Sequence, residues 1–289
     1  MAYGFHAYFG PAALATTVNV RRIGPRDCFL ALEEGLDDFV SMPTYPAFVG
    51  LFYALSGIAI VSLSSLRNAL HLVFPLAAGF ALIGPFVAIG LYELSRRRER
   101  GLEATWRDAF AVLHSPALPS IIALGLLLFA IFAAWIGAAE ALYVRLYGPD
   151  PPAEAVGFLD DVLTTGRGWL LVGLGGLIGF CFAAASLSLS LVSFPLLLDR
   201  DVGLVPAIDA SLRTARANPQ AVALWGLIVA AALVLGSLPM LFGLAVVLPV
   251  LGHSTWRFYR KAIERDPARE LPLEVNRRPD LTLPRDARA

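Results

Sequence analysis

The stretch ALEEGLDDFVSMPTYP, residues 31–46, sets Glu33, Glu34, Asp37 and Asp38 directly against AFVGLFYALSGIAIV, residues 47–61, which carries no charge. Its pattern recurs. Residues 104–116 read ATWRDAFAVLHSP and residues 207–219 read AIDASLRTARANP; like ALEEGLDDFVSMP at 31–43, each begins with Ala and ends on Pro. Apolar residues fall at Leu32, Leu36, Phe39 and Val40 in the first copy, at Ala109, Val112 and Leu113 in the second, and at Ile208, Leu212 and Ala215 in the third. Steps of three and four place them on one helical stripe. The first two copies continue as P-x-x-P, Pro43/Pro46 and Pro116/Pro119, while the third has Val222 in the last position. Each copy precedes an apolar run. The repeating unit is therefore an amphipathic helix, a proline turn, a span, a loop and a returning span. In this reading the acids form the wet face of an interfacial helix. Proline then redirects the chain, because it cannot donate the helical hydrogen bond.

Composition agrees with a membrane protein. Hydrophobic residues make up 57% of the 289, charged residues 16%, and mean hydropathy is +0.67. Soluble domains run at about 45–50% apolar and about 25% charged. Net charge is zero, so no global field attracts nucleic acid. The two cysteines, Cys28 and Cys181, make neither a disulfide framework nor a CxxC metal site. The first nineteen residues lack the basic and apolar regions of a cleaved signal peptide.

About 20 apolar residues are needed to cross a bilayer as a helix. Six such runs are predicted, at about 46–64, 69–94, 118–146, 168–197, 220–236 and 239–261. The last two come from one long run split at Gly236, Ser237 and Pro239. Translocating Lys and Arg is unfavourable. With the N-terminus inside, segments 1–44, 93–118, 198–219 and 254–289 hold 20 of the 23 cations; only Arg67, Arg145 and Arg167 fall outside. Both termini are thus expected in the cytoplasm of a bacterium with a multi-pass inner-membrane protein. The fold class expected is an all-α membrane protein of six transmembrane helices, arranged as three parallel hairpin repeats (about 26–100, 101–200 and 203–263), each preceded by a cytoplasmic amphipathic helix. Residues 1–22 are expected to be a flexible N-terminus. The tail 264–289, rich in charge and proline, is expected to be disordered.

Candidate functional residues are few. Glu93 precedes Arg96 and Arg97 at ion-pairing spacing; it reads as an interfacial anchor or, alternatively, a gating carboxylate. Glu140 lies toward the outer end of the third span and reads as reaching headgroups or water or, alternatively, as a functional intramembrane carboxylate. Gly175, Gly179, Ala183, Ser186, Ser190 and Ser193 share one face of the fourth span. Small faces let helices approach closely; the alternative is a polar path. His253, in LGHSTW, reads as a packing histidine. Trp135, Trp169 and Trp256 read as interface-belt residues. GLGGLIG at 173–179 lacks the preceding strand that a nucleotide loop requires. No metal, catalytic or cofactor motif is recognisable.

FPLAAGFALIGPFVAIGLYELSRRRERG (74–101), SFPLLLDRDVG (193–203), NPQAVALWGLIVAAALVLGSLP (218–239) and LPVLGHSTW (248–256) resemble a bacterial integral-membrane family of unknown function whose members are sometimes labelled cytochrome c oxidase subunit I-like. The resemblance implies a six-span inner-membrane protein and supplies no activity or catalytic residue. The chain's four histidines, His6, His71, His114 and His253, are too few for an oxidase subunit I. The function expected is a non-enzymatic scaffold, assembly or modulating factor whose partners are the lipid bilayer and another membrane protein or respiratory complex. The alternatives are a small-molecule or lipid transporter and a haem-binding accessory redox protein using His253 or His71.

Overall fold

A computed structural model describes residues 18–42, 70–72, 75–76, 84–150, 152, 155–238 and 243–273. The first expected span, 46–64, lies outside the described residues, as do residues 69, 73–74 and 77–83 of the second. Among the described residues the structure is helical, with no strand and two isolated antiparallel bridges, Val20 with Ile263 and Arg200 with Glu270.

Helix α1 covers Pro25–Ser41. Its start is set locally: Pro25 occupies the first turn, and the Asp27 carboxylate accepts from the Gly24 N–H at 2.8 Å. A short helical turn, Gly84–Val87, leads into α2, Ile89–Glu99. Trp106–His114 follows as a 3-10 helix rather than the expected α-helix, with Asp108 accepting from Thr105 N–H at 2.8 Å. Then come α3 (Leu118–Tyr147), α4 (Ala155–Thr164), α5 (Gly166–Ser190), α6 (Ser193–Asp199), α7 (Leu204–Ala217), α8 (Pro219–Ser237) and α9 (Leu244–Ala262).

Among the described residues, three stretches are long and apolar enough to cross a membrane: Leu118–Tyr147, Gly166–Asp199 and Pro219–Ser237. Their surfaces are largely open, with Leu126, Phe129, Leu177, Phe180 and Leu227 exposed. That exposure suits hydrocarbon, where apolar side chains have nothing to escape. The second stretch breaks at Leu191–Val192, between α5 and α6. Pro195 explains the break: it has no N–H for the Leu191 carbonyl, and its ring crowds that carbonyl. The freed Val192 N–H donates to Ser211 Oγ of α7 at 3.2 Å.

Helices α3 and α5 pack antiparallel. A Cβ added at Gly179 would meet the Trp135 ring at 2.9 Å, and one at Gly175 would meet Leu142 at 3.6 Å. Two members of the small-residue face therefore receive large side chains from α3; Ala183 instead is exposed. The last apolar run is divided into α8 and α9, with Gly236 and Ser237 at the end of α8 and Pro239 outside the described residues. Gly243 lies so close to Gly236 that an added Cβ would sit 2.7 Å from the Gly236 carbonyl oxygen.

The tightest packing is between α1 and α9. A Cβ at Gly35 would sit 2.4 Å from Ser254 N, so only glycine allows the two backbones to meet there. The buried side of α1 is Cys28, Ala31, Gly35 and Asp38, whereas Phe29, Leu36 and Val40 are exposed. Of the expected apolar stripe, Leu36 and Val40 are exposed, while Leu32 and Phe39 are half-buried and Phe39 packs against the cluster of Met42, Leu91, Leu94 and Ala109. Trp135 and Trp256 are buried instead of lying in an interface belt; Trp169 is exposed. Cys28 and Cys181 are both free.

Residues 18–22 and 264–273, the described parts of the two terminal segments, pack on the helices. Val18 is buried, Arg21 N–H donates to Ala262 O at 2.8 Å, and Glu264 N–H donates to Asn19 O at 3.1 Å. The tail stays docked through Leu271, whose N–H donates to Asp199 O at 2.6 Å. Residues 1–17 and 274–289 lie outside the described residues.

Candidate functional site

Around the junction of α1, α2, α6 and α9 the structure assembles a layer of buried charges. Its first node is Asp38, which is fully buried on α1. Arg257 of α9 forks onto it, Nη2 to Oδ1 at 2.6 Å and Nε to Oδ2 at 2.8 Å. Arg98 of α2 donates to the same carboxylate and also reaches Asp37 at 2.8 Å. Burial alone would raise the Asp38 pKa. The Arg257 fork, with Ser95 and Arg98, outweighs it and holds the carboxyl below its ordinary value. Such charge-assisted forks are the strong class of hydrogen bond.

Ser95 links Asp38 to His253. Its hydroxyl lies 2.8 Å from Asp38 Oδ2 and 2.6 Å from His253 Nδ1, and both Ser95 and His253 are fully buried. One hydroxyl proton serves only one acceptor. With Ser95 donating to the carboxylate, His253 Nδ1 carries the proton of the second bond. The order is Asp–Ser–His, with serine in the middle. It differs from a nucleophilic triad, in which histidine stands between the acid and the serine.

Glu93 is the second node. It is buried on α2 and accepts from Arg96 at 3.1 Å and Arg97 at 3.0 Å, the spacing read from the sequence. Arg97 continues to Asp108 of the 3-10 helix at 2.9 Å. The third node, Asp199, ends α6 and is fully buried. It accepts from Tyr259 Oη at 2.7 Å and from both terminal nitrogens of Arg260, at 2.9 and 3.1 Å. Arg260 also reaches Glu99 at 2.9 Å and lies over the Trp256 ring, 4.7 Å from its centroid. Glu270 of the docked tail closes the layer, accepting from Arg100 at 2.9 Å and Arg265 at 2.8 Å. Arg100 and Arg96 donate to the Leu271 carbonyl.

The remaining candidates lie apart. Ser190 donates to Ser186 O at 2.7 Å, so it bonds back to its own helix. The Ser193 hydroxyl lies 2.5 Å from Leu189 O and 3.0 Å from Ala207 O of α7, and its one proton serves one of these carbonyls at a time. Ser186 Oγ is buried with no partner among the described residues. Glu140, near the end of α3, lies 2.6 Å from His71 Nε2, while His71 stacks on Tyr143 with centroids 4.0 Å apart. His71 and His253 thus belong to separate clusters, a poor arrangement for two axial ligands of one haem. The four acids at 33–38 do not share a wet face as expected: Glu33 and Asp37 are exposed, Glu34 pairs with Lys261 at 2.7 Å, and Asp38 is the most buried acid of α1.

Sequence reasoning found Glu93, Arg96 and Arg97 because their spacing is local. It missed Asp38, Ser95, Asp199, Arg257 and Arg260. The available signal was complementarity of charge between the acids of 33–38 and the arginines at 96–98, 257 and 260. No local periodicity joins partners separated by 219 positions, as Asp38 and Arg257 are.

Residues 73–199 match the model of a family described as a predicted integral membrane protein (DUF2189). No curated protein and no solved structure matches the chain.

Proposed function

We propose that this membrane protein acts as a non-enzymatic scaffold, assembly or modulating factor for a membrane complex. The observation that carries this reading is the ionic layer. Its carboxylates, Asp38, Glu93 and Asp199, are buried against arginines from distant segments. The polar side chains thereby tie helices together, which is what a rigid docking body requires. The serine face supports the same reading, since Ser190 and Ser193 direct their hydroxyls to backbone carbonyls rather than to an open path. Purification from the native membrane in mild detergent should recover one partner in fixed stoichiometry. Repeated recovery of this chain alone refutes the scaffold.

The architecture proposed is six spans in three like-oriented hairpin repeats, with both termini in the cytoplasm of a bacterial inner membrane. The positions preceding the repeat prolines support it. Ala31, Gly35 and Asp38 are buried in the first copy, and Ala207, Ser211 and Thr214 are buried at the matching positions of the third. In the second copy Asp108, which matches Gly35 and Ser211, is buried. An alkaline phosphatase fusion should be active at Glu154 and inactive near Val205; the reverse pattern refutes the orientation.

A further inference from the structure

Where α7 ends and α8 begins, the structure builds a basic pocket that the ionic layer does not use. Asn218 joins the two helices and clamps the N-terminal segment. Its Oδ1 accepts from Ile23 N–H at 2.9 Å, and its Nδ2 donates to Arg21 O at 3.0 Å. Beside it lies an open cavity of about 550 Å³ lined by Asn19, Val20, Arg213, Arg216 and Ala217. Arg213 donates to Val18 O at 2.9 Å and pairs with Asp209 at 2.6 Å. Arg216, Arg21 and Arg22 are exposed and have no acidic partner among the described residues. Arg21, Arg22, Arg213 and Arg216 outnumber the nearby Asp27, Asp209 and Glu264, of which Asp209 pairs with Arg213, Glu264 accepts from Asn19 Nδ2 at 2.9 Å and Asp27 accepts from the Gly24 N–H. Local charge is net positive.

The pocket's height in the molecule selects its ligand. Pro219 opens α8, one of the stretches able to cross a membrane. With α8 embedded, Arg216, one turn before it, comes to the level of the lipid phosphates. Exposed Leu227 and Val234 further along α8 are placed for acyl chains. A phosphate held by the arginines, with its chains running down α8, matches charge to charge and oil to oil.

We propose that this pocket binds the headgroup of an anionic phospholipid. The inference requires only that α8 is embedded, and it stands apart from the scaffold role. The test uses the full chain in neutral detergent and native mass spectrometry with phosphatidylglycerol, phosphatidylcholine and inorganic phosphate. Retained phosphatidylglycerol adducts should exceed phosphatidylcholine adducts at least about tenfold. An arginine near a membrane surface is worth roughly a fivefold change in binding. The Arg216→Gln variant, and separately the Arg21→Gln/Arg22→Gln variant, should each lose phosphatidylglycerol by about that factor or more. Arg145→Gln, at an exposed site on α3, should retain it. Equal retention of the two lipids overturns the proposal, as does indifference to both sets of substitutions. Displacement by inorganic phosphate at the lipid's own concentration identifies a soluble-anion site and overturns the lipid assignment.

Discussion

Asp38 and Arg257, 219 residues apart, meet as a two-pronged ion pair with N–O distances of 2.6 and 2.8 Å, and the Asp38 side chain has no exposed surface. Through this contact α1 is locked to α9. Ser95 and Arg98 bring α2 to the same carboxylate, so three segments depend on one acid.

Removing one partner leaves the other charged and buried, a loss of about 3–5 kcal/mol for such pairs. Arg257→Ala and Asp38→Asn should each destabilise the protein by that order in detergent unfolding. The double variant should lose less than the sum of the two, because the penalty of a stranded charge is then absent. Additive losses would show that the pair is not coupled.

Acid should release the same contact. The Asp38 pKa is lower in the folded protein than in the unfolded chain. Its contribution is therefore present above the unfolded carboxyl value of about 3.9 and is lost as pH falls through the folded value. Melting temperature should drop on acidification below about pH 4, and Asp38→Asn should flatten that slope.

Glu270 should behave alike at the tail. Burial alone would raise its pKa, but Arg265, Arg260 and Arg100 together hold it below the ordinary range. Glu270→Ala should free the docked segment and speed tryptic cleavage after Arg265 and Arg269. Unchanged cleavage would mean that the backbone bond from Leu271 to Asp199 is sufficient.

Gly35→Ala tests the crossing of α1 and α9. An added methyl collides with backbone atoms of Ser254, which cannot swing aside as a side chain can. Overpacking of this kind is destabilising by about 1–3 kcal/mol. Gly137→Ala, on α3 where nothing lies within 4 Å, is the control and should be neutral or slightly stabilising in the same unfolding assay.

Membrane character and helical class are legible along the chain, because hydropathy and helical spacing depend on neighbours within a turn or two. Hydropathy identified α3, α5 with α6, and α8. Gly236 and Ser237 stand at the end of α8, and spacing alone paired Glu93 with its arginines. The burial of individual acids was not legible in that way. Asp37 and Asp38 are adjacent and chemically the same, yet one is exposed and the other completely buried. Successive helical residues point about 100° apart. Which of them is buried beneath Arg257 depends on where α9 lies against α1, and that is settled at Gly35 and Ser254. The same holds for the tail, whose composition is that of a solvated segment. Its docking comes from Arg96, Arg100 and Asp199, groups that converge only after the helices have packed. Bilayer thickness and the cost of burying charge thus wrote the spans into the sequence, whereas the pairing that neutralises those charges exists only in three dimensions.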